Sequence, residues 1–255
     1  MKRRDSLVAL AALAARAPGF AQGEPARVAA ASDLQFALPE VAAAFHQAGT
    51  QRVELNFGSS GNFARQIQQG APFDLFLSAD EGFVHRLADA GLTRDRGNLY
   101  AIGRIVLMAP RSSALKLDAE LDGLRRDWDR VRRFAIANPE HAPYGRAARE
   151  ALEKRGMWAQ VQERLVLGEN ISQATQYIAT GAADAGITAL SLALAPPVAA
   201  QTRHVPLPES LHAPLRQRMV LLKGARPAAL AFHEFLSSPE ARAMLSRHGF
   251  AAPAA

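Results

Sequence analysis

The 255-residue chain, 49% hydrophobic and 21% charged, has an ordinary globular composition, which excludes disorder and collagen-like structure and suffices for one large core or two modest ones. Its formal charge of +6 falls to +3 once Lys2, Arg3, Arg4, Arg16 and Asp5 are set aside with the first 21 residues. Arg125, Arg126, Arg130, Arg132 and Arg133 alternate with Asp122, Asp127 and Asp129, as on a solvated, ion-paired face rather than a nucleic-acid surface.

Residues 1–21 read as a cleavable signal peptide. Lys2-Arg3-Arg4 is a positive start, Leu7 to Ala15 a short apolar run, and Gly19-Phe20-Ala21 supplies small residues for cleavage after Ala21. That run is too short to cross a bilayer core of about 30 Å. Arg3-Arg4 also admits the twin-arginine route, although the residues after it fit that pattern poorly. The chain has no cysteine, so neither a disulfide framework nor a lipid on a processed N-terminal Cys is expected. With no later membrane-length run and no solenoid repeat, the expectation is a periplasmic protein without membrane insertion.

Eight short apolar or alternating runs predict strands: Val28 to Ala31, Val53 to Phe57, Asp74 to Leu77, Ile105 to Ala109, Phe134 to Ala137, Leu165 to Leu167, Ala185 to Thr188 and Met219 to Leu222. Between them apolar residues recur at helical spacing, as in Leu34, Leu38, Val41 and Phe45, or Ile171, Ala174 and Ile178. Gly70, Gly91, Gly156 and Gly181 follow the apparent helix ends. The class is α/β with mostly parallel sheets. Charged and proline-rich segments near residues 94–98 and 206–214 divide it into lobe 1, 27–101 plus 218–255, and lobe 2, 102–217.

Two segments share an arrangement in which an apolar strand runs into small residues, a serine and then a helix: Ala30-Ala31-Ser32-Asp33-Leu34 and Phe57-Gly58-Ser59-Ser60-Gly61-Asn62. A helix N-terminus carries unpaired N–H groups and the positive end of the macrodipole, so two such ends on one cleft would grip an anion without a cation. Ser32 with Gln35 also fits a plain capping box. Gly58 and Gly61 leave room for close backbone approach, and Ser59 or Ser60 adds a hydroxyl. Two further strand-to-helix turns, Pro143-Tyr144-Gly145-Arg146 and Glu169-Asn170-Ile171-Ser172, are candidates on the other lobe.

In order along the chain, Ala29 to Ser32, Gly58 to Ile67, Gly70 to Asp80, Asn138 to Gly145 and Arg247 to Phe250 resemble the periplasmic molybdate-binding proteins of ABC importers. The stretch from Gly58 to Asp80 is the most specific. The resemblance implies a two-lobed periplasmic binding protein fold of type II, with crossover strands joining the lobes and the cleft between them. It implies a monomer that captures molybdate or tungstate, held as an oxyanion by Ser32, Ser60, Tyr144 and Ile171, and passes it to a membrane permease. No cofactor and no enzymatic activity are implied. Asp33, Ser59, Gly61 and Pro143 are expected in support. Sulfate, phosphate or a phosphonate are the alternative ligands.

Two departures from the family pattern stand out. A tyrosine frequent in the family is replaced by Ala189, for which Tyr144 could supply a phenol, and Asp33 stands where many relatives carry an apolar residue. The favoured expectation turns Asp33 to solvent in a first helical turn; facing the pocket, it would instead favour a protonated oxyanion such as phosphate. Among rival classes, a serine hydrolase lacks the Gly-x-Ser-x-Gly spacing. The seven scattered histidines form no His-x-x-x-His pair. A signalling module on the same fold is the third reading.

Overall fold

The computed structural model describes residues 24–49 and 51–253; the expected signal peptide lies outside them. Lobe one opens with β1 (Ala26–Ala31), a 3-10 turn (Ser32–Leu34) and α1 (Ala37–Ala48), then β2 (Val53–Gly58) and α2 (Ser60–Gln68). It continues through β3 (Leu75–Ser78), α3 (Glu81–Asp89) and β4 (Asn98–Gly103). Lobe two holds β5 (Ile105–Pro110), α4 (Asp122–Arg126), β6 (Phe134–Ala137), α5 (Pro143–Lys154), α6 (Trp158–Gln162), β7 (Leu165–Gly168) and α7 (Ile171–Ala179). It ends with β8 (Ala185–Ala189), α8 (Leu190–Ala193), α9 (Pro196–Ala199) and β9 (Thr202–Pro206). The chain then returns to lobe one as β10 (Leu215–Leu221), α10 (Pro227–Leu236) and α11 (Pro239–Arg247).

Each lobe is a five-stranded sheet, ordered β2-β1-β3-β10-β4 in lobe one and β7-β6-β8-β5-β9 in lobe two. Each contains one reversed strand: β10 is antiparallel to β3 and β4, and β5 to β8 and β9. All eight expected strands are present. The two not foreseen, β4 and β9, are sheet edges, as are the foreseen β2 and β7; Thr202–Pro206 has a single aliphatic residue, Val205, whereas β4 carries the apolar run Leu99 to Ile102.

Helices cover both faces of each sheet, so the central strands read as continuous apolar runs. In lobe one, Leu34, Leu38, Val41, Phe232 and Leu236 pack on one face of the sheet and Phe63, Ile67, Val84 and Leu87 on the other. In lobe two, Leu107, Phe134, Ile136 and Ile187 meet Leu124, Trp128, Leu152 and Val161. The register positions the site. Ala31 of β1 lies beside Gly58 of β2, and Ala137 of β6 beside Gly168 of β7, so the loops leaving each pair start as neighbours. In both sheets they leave at the carboxyl ends of strands where the strand order reverses, the usual crevice for a ligand in open α/β sheets.

Candidate functional site

In lobe one the Ser60 hydroxyl oxygen accepts the Ala79 N–H at 3.0 Å, and Ser60 is buried at the start of α2. Its hydrogen has no acceptor among the described residues, which leaves it to donate. Ser32 has the same character: Oγ accepts the Ser172 N–H at 3.4 Å from across the cleft and donates to nothing among the described residues. The capping box expected at Ser32 does not form. The segment is a three-residue 3-10 turn without a side-chain cap, Gln35 N–H donates to the Ser32 carbonyl at 3.2 Å, and the Gln35 side chain instead accepts from Ser172 Oγ.

Lobe two presents main chain. Helix α5 begins at Pro143, whose missing N–H costs nothing at a first position, and α7 begins at Ile171 with the Asn170 side chain accepting from Gln173 N–H at 3.1 Å. First-turn N–H groups have no acceptor within their own helix, so those of Ser60, Tyr144 and Ile171 are donors left over by geometry. Gly145 is required where it stands, because a Cβ there would run into the Ala137 carbonyl and push the start of α5 away from β6.

Ser32, Ser60, Tyr144 and Ile171 all line one small cavity between the lobes, together with Asp33, Ser59 and Pro143. Gly61 does not line it; its N–H donates to the His141 carbonyl of lobe two at 2.9 Å. No lysine, arginine or histidine lines this cavity. Its wall is hydroxyls, N–H dipoles and apolar carbon, with a single carboxylate.

That carboxylate, Asp33, corrects one expectation. It is 1% exposed rather than solvent-facing, because the 3-10 turn rotates it inward under lobe two. Its Oδ2 accepts from the Tyr144 hydroxyl at 2.8 Å and from Gln217 Nε2 at 2.5 Å, while Gln217 Oε1 accepts from the Tyr100 hydroxyl at 2.7 Å. Burial pushes the Asp33 carboxyl up to about 6, against the Gln217 and Tyr144 hydrogen bonds that favour its ionised form. Burial and the neighbouring Asp33 charge hold the Tyr144 phenol well above its ordinary range. The phenol is therefore committed to Asp33 and does not stand in for the missing tyrosine at Ala189. Gln217 was invisible in the sequence, since it lies on β10, 184 residues from its partner.

Ser59 differs from Ser60 despite adjacency. Its hydroxyl donates to the His141 carbonyl at 2.7 Å and lies 2.8 Å from His141 Nδ1, while His141 Nε2 is 3.7 Å from Glu169. Although these three residues resemble a hydrolytic triad, the hydroxyl hydrogen is taken by a carbonyl, and the arrangement is a clasp between lobes. Asp80 with Arg146, and Asn62 with Glu169, clasp the same rim. Glu81 pairs instead within its own lobe, with Arg216 and Arg218. No group of three metal-ligating side chains occurs among the described residues.

Residues 26–251 match the family model described as bacterial extracellular solute-binding protein. The chain belongs to that family. It is 36% identical to the molybdate-binding protein ModA of Rhodobacter capsulatus over 97% of this chain and 96% of that one. The solved periplasmic molybdate-binding protein of Azotobacter vinelandii superposes with a TM-score of 0.82 at 31% identity, covering 90% of this chain and 100% of that one. The sulfate-binding protein SubI of Mycobacterium tuberculosis shares the fold at a TM-score of 0.73 and 19% identity, covering 89% of this chain and 86% of that one. The resemblance to molybdate-binding proteins and the two-lobed binding-protein fold, both read from the sequence, hold.

Proposed function

We propose that this solute-binding protein captures a tetrahedral oxyanion, molybdate or tungstate, in the periplasm and hands it to the permease of an ABC importer, with no catalytic step and no cofactor. The observation that carries this reading is the pair of buried serines, Ser32 and Ser60, whose oxygens already accept N–H groups and whose hydrogens remain to be donated into a cavity with no cation. Around them stand the starts of α2, α5 and α7, whose dipoles favour negative charge. A fully ionised guest offers no proton of its own and takes up these hydroxyl and N–H donors; the Asp33 carboxylate is the one group of the wall that opposes it.

Closure follows from the same geometry. Lobe one supplies two hydroxyls and lobe two supplies N–H groups, so an anion touching both favours the closed arrangement by its differential contacts. The clasps at Ser59, Gly61 and Asp80 then fix the shape that a permease would read. Calorimetric titration of the mature chain with molybdate, tungstate, sulfate and phosphate tests the reading. Tight binding of molybdate and tungstate is expected, and tight binding of phosphate alone would discard the assignment.

A further inference from the structure

The polar cluster behind the cavity has one loose end. Asp33 lines the cavity, and its Oδ2 is occupied by Tyr144 and Gln217, but Oδ1 is buried with no hydrogen-bond partner among the described residues. The backbone N–H groups of Asp33 and Leu34 lie beside the carboxyl and favour its ionised form, against the effect of burial. A buried, unpartnered carboxylate oxygen is costly, and native structures rarely leave one without a use. The groups packed on Asp33 are Tyr100 from β4, Gln217 from β10, Tyr144 from α5 and Ser191 from α8, whose hydroxyl donates to the Asp33 carbonyl at 2.9 Å. Two phenols, an amide and a hydroxyl supply no cation to balance it.

Resting on the oxyanion reading, we propose that Asp33 Oδ1 and the bound anion share one proton, so that a fully ionised tetrahedral oxyanion enters the cavity together with a proton drawn from solvent. Two anionic oxygens side by side in a dry cavity repel strongly. One proton between them turns that contact into a charge-assisted hydrogen bond and gives Oδ1 its missing partner. The charges balance: carboxylate, proton and dianion together carry the net charge of the dianion alone. Burial has already brought the free carboxyl close to taking the proton, with its pKa at about 6. At neutral pH the free protein is mostly ionised there, and the arriving anion raises the group further. The complex then holds more protons than its separated parts, so affinity is level below about pH 6 and falls by up to about tenfold per unit above it. Asp33 is on this view a specificity-determining residue, grading oxyanions by their ability to share a proton as well as by size.

The test is calorimetric titration of the mature chain with sodium molybdate near pH 7.5, in two buffers of different ionisation enthalpy. Uptake approaching one proton per anion is expected, with affinity dropping by up to about tenfold between about pH 7 and pH 8. Asp33→Asn should abolish both the uptake and the slope. Molybdate binding by the wild type with no proton uptake and a flat pH profile would overturn the proposal and leave the oxyanion reading intact; so would full uptake retained in Asp33→Asn. Failure to bind molybdate, tungstate, sulfate or phosphate at any pH would instead remove the oxyanion reading and this proposal with it. Should the variant not fold, the wild-type proton count decides alone.

Discussion

Lobe one brings side chains to the cavity, the hydroxyls of Ser32 and Ser60 and the carboxyl of Asp33, whereas lobe two brings the first turns of α5 and α7, where the donors are main chain. The difference decides how each half can be changed. A hydroxyl is lost with one substitution, but a backbone N–H survives any side chain that lets the helix start in place. Lobe one is therefore where point mutations should reach the anion, and lobe two is reached only through positions that fix the backbone, such as Gly145, or through the clasp that Gly61 of lobe one makes with the His141 carbonyl.

The largest effect should come from removing both hydroxyls. Ser32→Ala with Ser60→Ala is expected to weaken molybdate binding by about 3 to 6 kcal/mol by calorimetry, each donated bond to a buried charge contributing about 1.5 to 3 kcal/mol. Losses confined to one of the two would place the other outside the contact set and break the symmetry claimed for lobe one. Next, Gly61→Ala puts a Cβ within 2.6 Å of the His141 carbonyl, which belongs to the opposite lobe. It should cost about 1 to 3 kcal/mol of affinity by propping the lobes apart, with little change in the Tm of the anion-free protein. A Tm that falls as far as the affinity would show that the clasp holds the free protein too.

Asp33→Asn acts in the opposite direction on the free protein. The folded carboxyl sits at about 6 against an ordinary 3.8, so its contribution to stability is fully present below the unfolded value and is lost as pH rises through about 6. The asparagine variant should therefore be more stable than wild type by about 1 to 3 kcal/mol at pH 7 in urea denaturation, a gain that disappears near pH 3.5. An equal gain at both pH values would trace the effect to packing rather than charge. Smallest should be Ser59→Ala, about 0.5 to 1.5 kcal/mol of affinity, since its hydroxyl serves the interlobe clasp. A loss as large as that of Ser60→Ala would erase the distinction between the neighbours.

The sequence carried the strand and helix order and the residues that line the cavity, because both are local: an apolar run ends, small residues follow and a helix begins. What it did not carry is long-range. Gln217 belongs to a strand that joins the sheet from the far end of lobe one, and nothing near Asp33 announces it. The inward turn of Asp33 depends on whether the segment after β1 winds as α or 3-10, a choice that the covering lobe two elements help to make. The roles of Ser59 and Ser60 separate only once the strand register sets Ala79 beside one and His141 beside the other. The edge strand β9 escaped notice because it lacks a continuous apolar signature.

The placement of β10 has a consequence for assembly. Lobe two is continuous in sequence from β5 to β9, and its sheet can be completed from its own residues alone. Lobe one cannot: the strand that joins β3 to β4 is β10, at Leu215–Leu221, so its sheet stays split until nearly the whole chain has emerged. Such distant pairing slows folding. The half bearing Ser32, Ser60 and Asp33 is thus the later one to form, and β10 brings Gln217 to Asp33 in the same event that closes the sheet.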